Sequence, residues 1–298
     1  MYIQYTQYID FTEVNFAMLV VKNLKKVYEN FTLKDISFEL EKGYILGFIG
    51  ANGAGKTTTL KSMLNITHKD GGEVTILGED FTKNELKLKQ KIGFMLGPVD
   101  YYPKSRISKI VGVYKDFFTE WDENKYRDLL KRFDIDDSKK ISELSTGMKV
   151  KLGIALALSH NAKLLIFDEP TSGVDPIARD ELLDIFQEIV EDGEHSILFS
   201  THITSDLDKC ADYILLICDG QIVQNDTKDN IIDSHILVEG KTADLTDDVI
   251  ARLISFKTHS FGFKGLMKKA DMRESDNFMT EKPNLEDIMI FYNKRMKK

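Results

Sequence analysis

Cysteine is nearly absent from this chain: Cys210 and Cys218 are the only two. Their spacing fits no metal-binding pattern and they build no disulfide framework, so a reducing compartment is the simple expectation. No stretch approaches the roughly 18 consecutive apolar residues of a membrane span. The start of the chain carries Asp10 and Glu13 and lacks a basic segment before an apolar core, so a secretory signal is not expected. A basic arm or stripe is also missing, and the formal net charge is −8, which disfavours nucleic acid as a partner. No internal repeat or low-complexity segment is found. What is left, 298 residues with 42% apolar content and scattered charge, describes a globular chain of one large domain with an appendage, or of two domains.

Against that background three segments stand out. Tyr44 to Ile49 reads as a buried strand, Gly50-Ala51-Asn52-Gly53-Ala54-Gly55 as a tight loop, and Lys56 to Leu64 as a helix. This is the strand–loop–helix context that a Gly-x4-Gly-Lys-Thr phosphate loop requires. Glycines let backbone N–H groups turn inward around phosphate oxygens, and the helix N-terminus favours negative charge. Lys56 is expected to reach the β and γ phosphates. Thr57 would place a hydroxyl on Mg²⁺, and Thr58 would donate to the α phosphate.

Lys163 to Phe167 reads as a second buried strand that ends in Asp168-Glu169-Pro170. An acid at the end of a parallel strand faces the crevice where open α/β sheets bind ligands. Asp168 is the candidate Mg²⁺ holder and Glu169 the candidate base that polarises an attacking water. A third strand, Ser196 to Phe199, leads into Ser200-Thr201-His202, where the histidine could bridge the γ phosphate and the base. The other histidines, at 68, 160, 195, 235 and 259, show no ligand spacing and read as structural.

The rest of the chain alternates strands and helices, which implies an α/β fold with a mostly parallel sheet. Residues 18 to about 42 and 73 to 81 read as strands. Tyr101 to Asp137 reads mostly helical, with Val113, Phe117 and Trp121 at helical spacing. Pro176 opens a helix whose buried stripe is Leu182, Ile185, Phe186 and Ile189. Tyr213 to Ile217 is another buried strand, turned by Asp219-Gly220 into Gln221-Ile222-Val223. A terminal helix over Asn284 to Met296 carries Leu285, Ile288, Met289 and Tyr292 on one face, for a dimer contact or for packing on its own domain.

Leu144-Ser145-Thr146-Gly147-Met148, just before a helix, resembles the Leu-Ser-Gly-Gly-Gln signature of ABC ATPases, in a variant form familiar from ABC-2 type exporters. Ser145 also suits an ordinary helix N-cap. The resemblance spans about residues 18 to 225. It places Tyr28 where the family stacks an aromatic on adenine, Ser172-Gly173-Val174-Asp175 at the D-loop and His202 at the switch histidine. Pro283 to Ile288 resembles the tail ending of ABC-2 exporter ATPases. The fold it implies is a P-loop NTPase with a RecA-like core, an antiparallel β subdomain, an inserted α-helical subdomain and a small α+β C-terminal extension. The expected divisions are an N-terminal extension over 1–17, an ATPase domain over 18–228 with the helical subdomain at about 100–160, and an accessory extension over 229–298. Met18 is one candidate for the native start; a genuine N-terminal arm is the other.

The resemblance further implies ATP and Mg²⁺ as cofactors. ATP would bind between Gly50, Asn52, Gly53, Ala54, Gly55, Lys56, Thr57, Thr58 and Tyr28 of one subunit and Ser145, Thr146 and Gly147 of another, in a homodimer or a heterodimer. A separate integral membrane permease would carry the cargo, receiving this chain on its cytoplasmic face. Tyr101, Tyr102, Phe117, Phe118 and Trp121 are candidates for the groove that takes a short helix from that permease, or for core packing. The expected function is powering export of peptides, antibiotics or drug-like compounds by ATP-driven dimer closure. A soluble ABC ATPase acting on DNA or ribosomes is the alternative. Two departures stand against the family pattern. Gly97 replaces the usual glutamine after the strand Lys91 to Leu96, with Asp100 a weak substitute, and Thr146 and Met148 replace the usual Gly and Gln.

Overall fold

The computed structural model describes residues 17–97 and 102–295. The expectations for the arm before Ala17, for Asp100 and for Tyr101 lie outside the described residues. Three sheets organise the described residues. The first is antiparallel, formed by β1 (Ala17–Tyr28), β2 (Phe31–Glu41), β4 (Gly71–Ile76) and β5 (Glu79–Asp80) in the order β2-β1-β4-β5. The second contains β3 (Ile45–Ile49), β6 (Ile92–Leu96), β7 (Leu164–Asp168), β8 (Ser196–Thr201), β9 (Tyr213–Cys218) and β10 (Gln221–Thr227), in the order β10-β9-β3-β8-β7-β6. All its pairings are parallel except the β9–β10 hairpin.

Alternation explains why the central strands are apolar throughout. Successive side chains leave opposite faces, so a strand covered on both sides has no polar face to show. Leu164 and Ile166 of β7 join a core with Leu46 and Phe48, the antiparallel sheet and α1 (Lys56–Met63). Leu165 and Phe167 join the opposite core with α5 (Thr146–Ser159), α6 (Pro176–Val190) and α7 (Thr204–Cys210). A short helix, α2 (Glu85–Lys89), leads into the edge strand β6. No helix among the described residues is long and apolar enough to cross a membrane.

The helical insertion comprises α3 (Ile107–Phe117), α4 (Glu123–Arg132) and α5. The periodicity expectation holds for Val113 and Phe117, which lie on α3, and not for Trp121. Val113 and Phe117 are 64% and 56% exposed, and Trp121 lies in the connection beyond α3. The buried side of α3 is instead Ile107 and Val111, supported by Ile110 and Tyr114. Spacing of four marks a helix face but does not say which face meets the core. Trp121 packs on Tyr126 and donates its indole N–H to Glu123.

After β10 come α8 (Lys228–Asp233), α9 (Asp247–Arg252) and the third sheet, β11 (His235–Gly240), β12 (Leu253–His259), β13 (Gly262–Lys268) and β14 (Met279–Glu281), ordered β12-β13-β11-β14. The terminal helix α10 (Leu285–Arg295) buries Leu285, Ile288, Phe291 and Tyr292, with Met289 partly covered. It packs on β12 and β13 and on α7 and β9 of this same chain, so the apolar face read from the sequence is used internally.

His160, which follows α5, stacks on Phe118 with ring centroids 3.7 Å apart and hydrogen-bonds Gln90 O through Nδ1 at 3.2 Å. Burial lowers its pKa from 6.5 to about 4. A histidine whose folded pKa is depressed takes up its proton more readily when unfolded, so stability falls as pH drops from 6.5 toward 4. The full effect is on the order of 3 kcal/mol. His160→Phe is expected to keep the stack and to flatten that part of the stability–pH curve relative to the parent, as read by urea unfolding at pH steps through this window.

Candidate functional site

The loop from β3 into α1 sits at the C-terminal end of the parallel sheet. Gly55, the residue before α1, has φ +117°, and a Cβ there would meet Leu33 at 2.8 Å and Phe31 at 2.9 Å. The sequence therefore needs glycine for both backbone angle and space. No acidic residue occupies the first turn of α1, which leaves the positive end of the helix unneutralised by its own side chains. Ala54 and Gly55 are buried, whereas Asn52 and Gly53 lie exposed at the rim and Thr58 is partly buried.

Lys56 is buried at 6% exposure. Its ammonium donates to Gly50 O at 2.7 Å and lies 3.2 Å from Glu169 Oε1. Thr57 Oγ1 donates to Asp168 Oδ2 at 2.6 Å. His202 Nδ1 is 2.6 Å from Glu169 Oε2. One carboxylate thus bridges the loop lysine and the histidine, while its neighbour meets the helix hydroxyl. Lys56, Thr57, Glu169 and His202 line a cavity of about 500 Å³, together with Phe31 and Asn52 among others, whereas Asp168 is buried and is not among its lining residues. Gly50 is touched through its carbonyl by Lys56, as above.

The geometry is compatible with Mg²⁺. A hydroxyl and a carboxylate at hydrogen-bonding distance, beside a phosphate loop, form the hard-oxygen set that this ion prefers, and phosphate oxygens and water would complete it. Gly97 follows Leu96, which pairs with Asp168 in the sheet, and offers no side chain at that level.

The aromatic wall of the cavity is Phe31. Tyr28 pairs with it across the β1–β2 turn, is 45% exposed, and has Lys26 Nζ 5.3 Å from its ring centroid. The signature residues lie elsewhere. Ser145 caps α5 by accepting from Met148 N at 3.2 Å, and Ser145 and Thr146 are exposed. Gly147 is buried, and a Cβ there would stand 3.1 Å from Ala178 and 3.4 Å from Val174. None of the three lines the cavity beside Lys56.

Three contributors escaped sequence reasoning: Phe31, which lines the cavity together with the D-loop residue Ser172, and Ser200 and Asp206, which hydrogen-bond the residues around it. Asp206 is fully buried. It accepts from Thr171 Oγ1 at 2.6 Å, Thr201 Oγ1 at 3.2 Å and Arg179 Nε at 2.5 Å, tying the segment after Glu169 to the segment before His202. Ser200 was visible in Ser200-Thr201-His202, but only the histidine carried an obvious chemistry. On the far side of the sheet a groove of about 350 Å³ runs between β6, α3 and α5, lined by Phe94, Tyr114, Phe117, Phe118, Leu156 and His160 among others. Of the expected lining residues Phe117 and Phe118 are there; Tyr102 and Trp121 are not.

A profile of the ABC transporter family matches residues 33–172, and one described as AAA domain, putative AbiEii toxin, Type IV TA system, matches residues 140–207. The chain is 30% identical over 223 residues to the ABC transporter ATP-binding protein YtrB of Bacillus subtilis (strain 168), covering 74% of this chain and 76% of that protein. It is 31% identical to the bacitracin transport ATP-binding protein BcrA of Bacillus licheniformis, over 70% and 69% of the two chains. It is 32% identical to the lantibiotic transport ATP-binding protein SrtF of Streptococcus pyogenes, over 69% and 89%. A solved ATP-binding subunit of an ABC transporter superposes with TM-score 0.64 at 27% identity, over 72% of this chain and 91% of that one. With the loop lysine, the acid pair and the histidine gathered at one sheet edge, these likenesses identify the chain as an ATPase of the ABC transporter ATP-binding family.

Proposed function

We propose that this chain binds ATP with Mg²⁺ at the Lys56 cavity, closes on a second ATPase subunit, and so drives a separate membrane permease that exports peptide, antibiotic or drug-like cargo. The observation that carries the site is the bridge Lys56–Glu169–His202, formed by the first residue of α1 and the residues just after β7 and β8. The loop's backbone N–H groups and Lys56 bind the phosphates and spread their charge. Thr57 and Asp168 are the residues that would hold Mg²⁺, which when bound neutralises charge on the phosphate oxygens. Glu169 orients and polarises the attacking water, and His202 fixes the Glu169 carboxylate through its hydrogen bond. Phe31 and Tyr28 supply aromatic surface for the base. The position of Ser145, Thr146 and Gly147 outside the cavity supports a role toward the nucleotide of the opposite subunit, at a second helix start.

The groove between β6, α3 and α5 is the proposed seat for a short permease helix, because it is apolar and bordered by half-exposed Phe94 and Phe117 at 41% and 56%. The cargo class follows the names of relatives that move bacitracin and lantibiotics. The work of transport comes from tighter ATP binding in the closed state than in the open one.

Three outcomes are expected. Lys56→Ala loses about 10–100-fold in ATP affinity, the value of a charge-assisted hydrogen bond; unchanged affinity by calorimetry refutes the cradle assignment. Glu169→Gln with Mg-ATP shifts from monomer to dimer in light scattering and stops turnover; a persistent monomer argues for an unlike partner ATPase, and sustained turnover removes Glu169 as the base. Phe94→Glu with Phe117→Glu leaves ATP affinity unchanged but abolishes co-purification with the permease. Retained co-purification would move the docking site elsewhere.

A further inference from the structure

Ser200 has no assigned role, yet its side chain touches both acids. It is fully buried at the C-terminal end of β8, opposite Asp168 in the β7–β8 pairing. Its hydroxyl donates to Asp168 Oδ1 at 2.5 Å and accepts the backbone N–H of Glu169 at 3.1 Å. The same N–H also reaches the carbonyl of Ser200 at 3.1 Å. A serine hydroxyl has one proton to give, and here that proton is committed to Asp168.

Two consequences follow. With Oδ1 held by Ser200, the oxygen of Asp168 that faces Thr57 is Oδ2, so the carboxylate plane is set by two hydroxyls from different elements. Glu169, meanwhile, has φ +54°, a left-handed backbone that is strained for a non-glycine residue. Such a conformation persists where its surroundings over-determine it. The paired acceptors of Ser200 do this, and the turn that continues to Ser172 N, which donates to Glu169 O at 3.2 Å, adds to it. The left-handed turn is what separates two adjacent acids, leaving Asp168 toward Thr57 and Glu169 between Lys56 and His202.

We propose that Ser200 is the positioning residue that lets neighbouring carboxylates take two roles: it fixes the metal-facing oxygen of Asp168 and locks the backbone turn that aims Glu169. The proposal rests on the reading of Asp168 and Glu169 given above. Alanine at this position would leave a buried carboxylate oxygen without its donor and Glu169 N–H with one acceptor fewer.

The test compares Ser200→Ala with the parent and with Glu169→Gln. Binding of a fluorescent ATP analogue in EDTA reports the phosphate cradle without metal. The Mg²⁺ concentration giving half of the ATP-dependent rise in melting temperature reports the Asp168 side, with Mn²⁺ electron paramagnetic resonance as a direct readout. Steady-state turnover reports the Glu169 side. For Ser200→Ala we expect analogue affinity within about twofold of the parent, a metal midpoint raised about 10-fold or more, and kcat lowered about 10–100-fold, the range for residues that orient metal-holding groups. Parental kcat and metal midpoint would overturn the proposal. So would loss of analogue binding in EDTA alongside a fall in melting temperature, because that pattern marks a packing role alone. Parental turnover in Glu169→Gln would instead sink the reading of Glu169, and the metal midpoint of Ser200→Ala would still decide the Asp168 half.

Discussion

The register between neighbouring parallel strands is the constraint on which the site depends. In the β3–β8–β7 order, Ile49 pairs with Thr201 and Asp168 with Ser200. Three chain reversals therefore leave the sheet at one edge and at one level: the phosphate loop, the acid pair and the histidine segment. Because side chains alternate, a slip of one residue in β7 would turn Asp168 to the opposite face, away from Thr57 on α1. It would also bring Leu164 and Ile166 out of one core and into the other. The apolar packing on both faces thus fixes where the charges stand.

That packing also explains how a buried cation is tolerated. Taking an ammonium out of water costs several kcal/mol unless it is well paired. Lys56 meets the Gly50 carbonyl and the Glu169 carboxylate, and Glu169 in turn meets His202. Asp206 solves the same problem on the other side of the acid pair, where two threonines and Arg179 satisfy its oxygens. The two networks share a backbone path: Thr171 stands two residues after Glu169, and Thr201 one before His202. A change of position at either Glu169 or His202 must therefore be accommodated by a fully paired buried acid, which restricts the arrangements open to both.

How much of this was legible in the sequence depends on how local the chemistry is. The strand–loop–helix around Lys56 could be read because its glycines, lysine and threonine are contiguous and because a run such as Ile45–Ile49 has no polar residue to misplace. Asp168 and Glu169 could be read because they end such a run. Ser200, Asp206 and Phe31 could not, because their meaning comes from pairing across the fold. Ser200 lies 32 residues from Asp168, and Asp206 lies 35 from Thr171. Phe31 is the cross-strand partner of Tyr28, and which of the two rings lines the cavity is settled only in the folded hairpin. The helix α3 is legible as a helix, but its inward face is not, for the reverse reason. Val113 and Phe117 made a plausible apolar stripe, but Ile107 and Val111 offered a second one, and the choice belonged to the partner surface on α5.

The C-terminal sheet poses a different physical question, since the described residues after β10, 228–295, could have packed as a separate body. They do not. Ile231, Leu237, Leu266 and Phe291 belong to the same continuous apolar core as Phe167 and Phe199 of the ATPase sheet. At the seam, Tyr292 Oη lies 3.0 Å from His235 Nε2 and receives a hydrogen bond from Gln224, so β10, β11 and α10 meet at one buried hydroxyl. Burial raises the Tyr292 pKa to about 12 and lowers that of His235, which keeps both groups neutral at physiological pH and suits a junction without charge to solvate. The helix α10 then packs on α7, the helix that begins two residues after His202 and carries Asp206. Close-packed interiors transmit displacement because they have no room to absorb it. The C-terminal sheet is therefore built onto the histidine side of the Lys56 cavity through one helix, and its stability cannot be separated from the placement of that side.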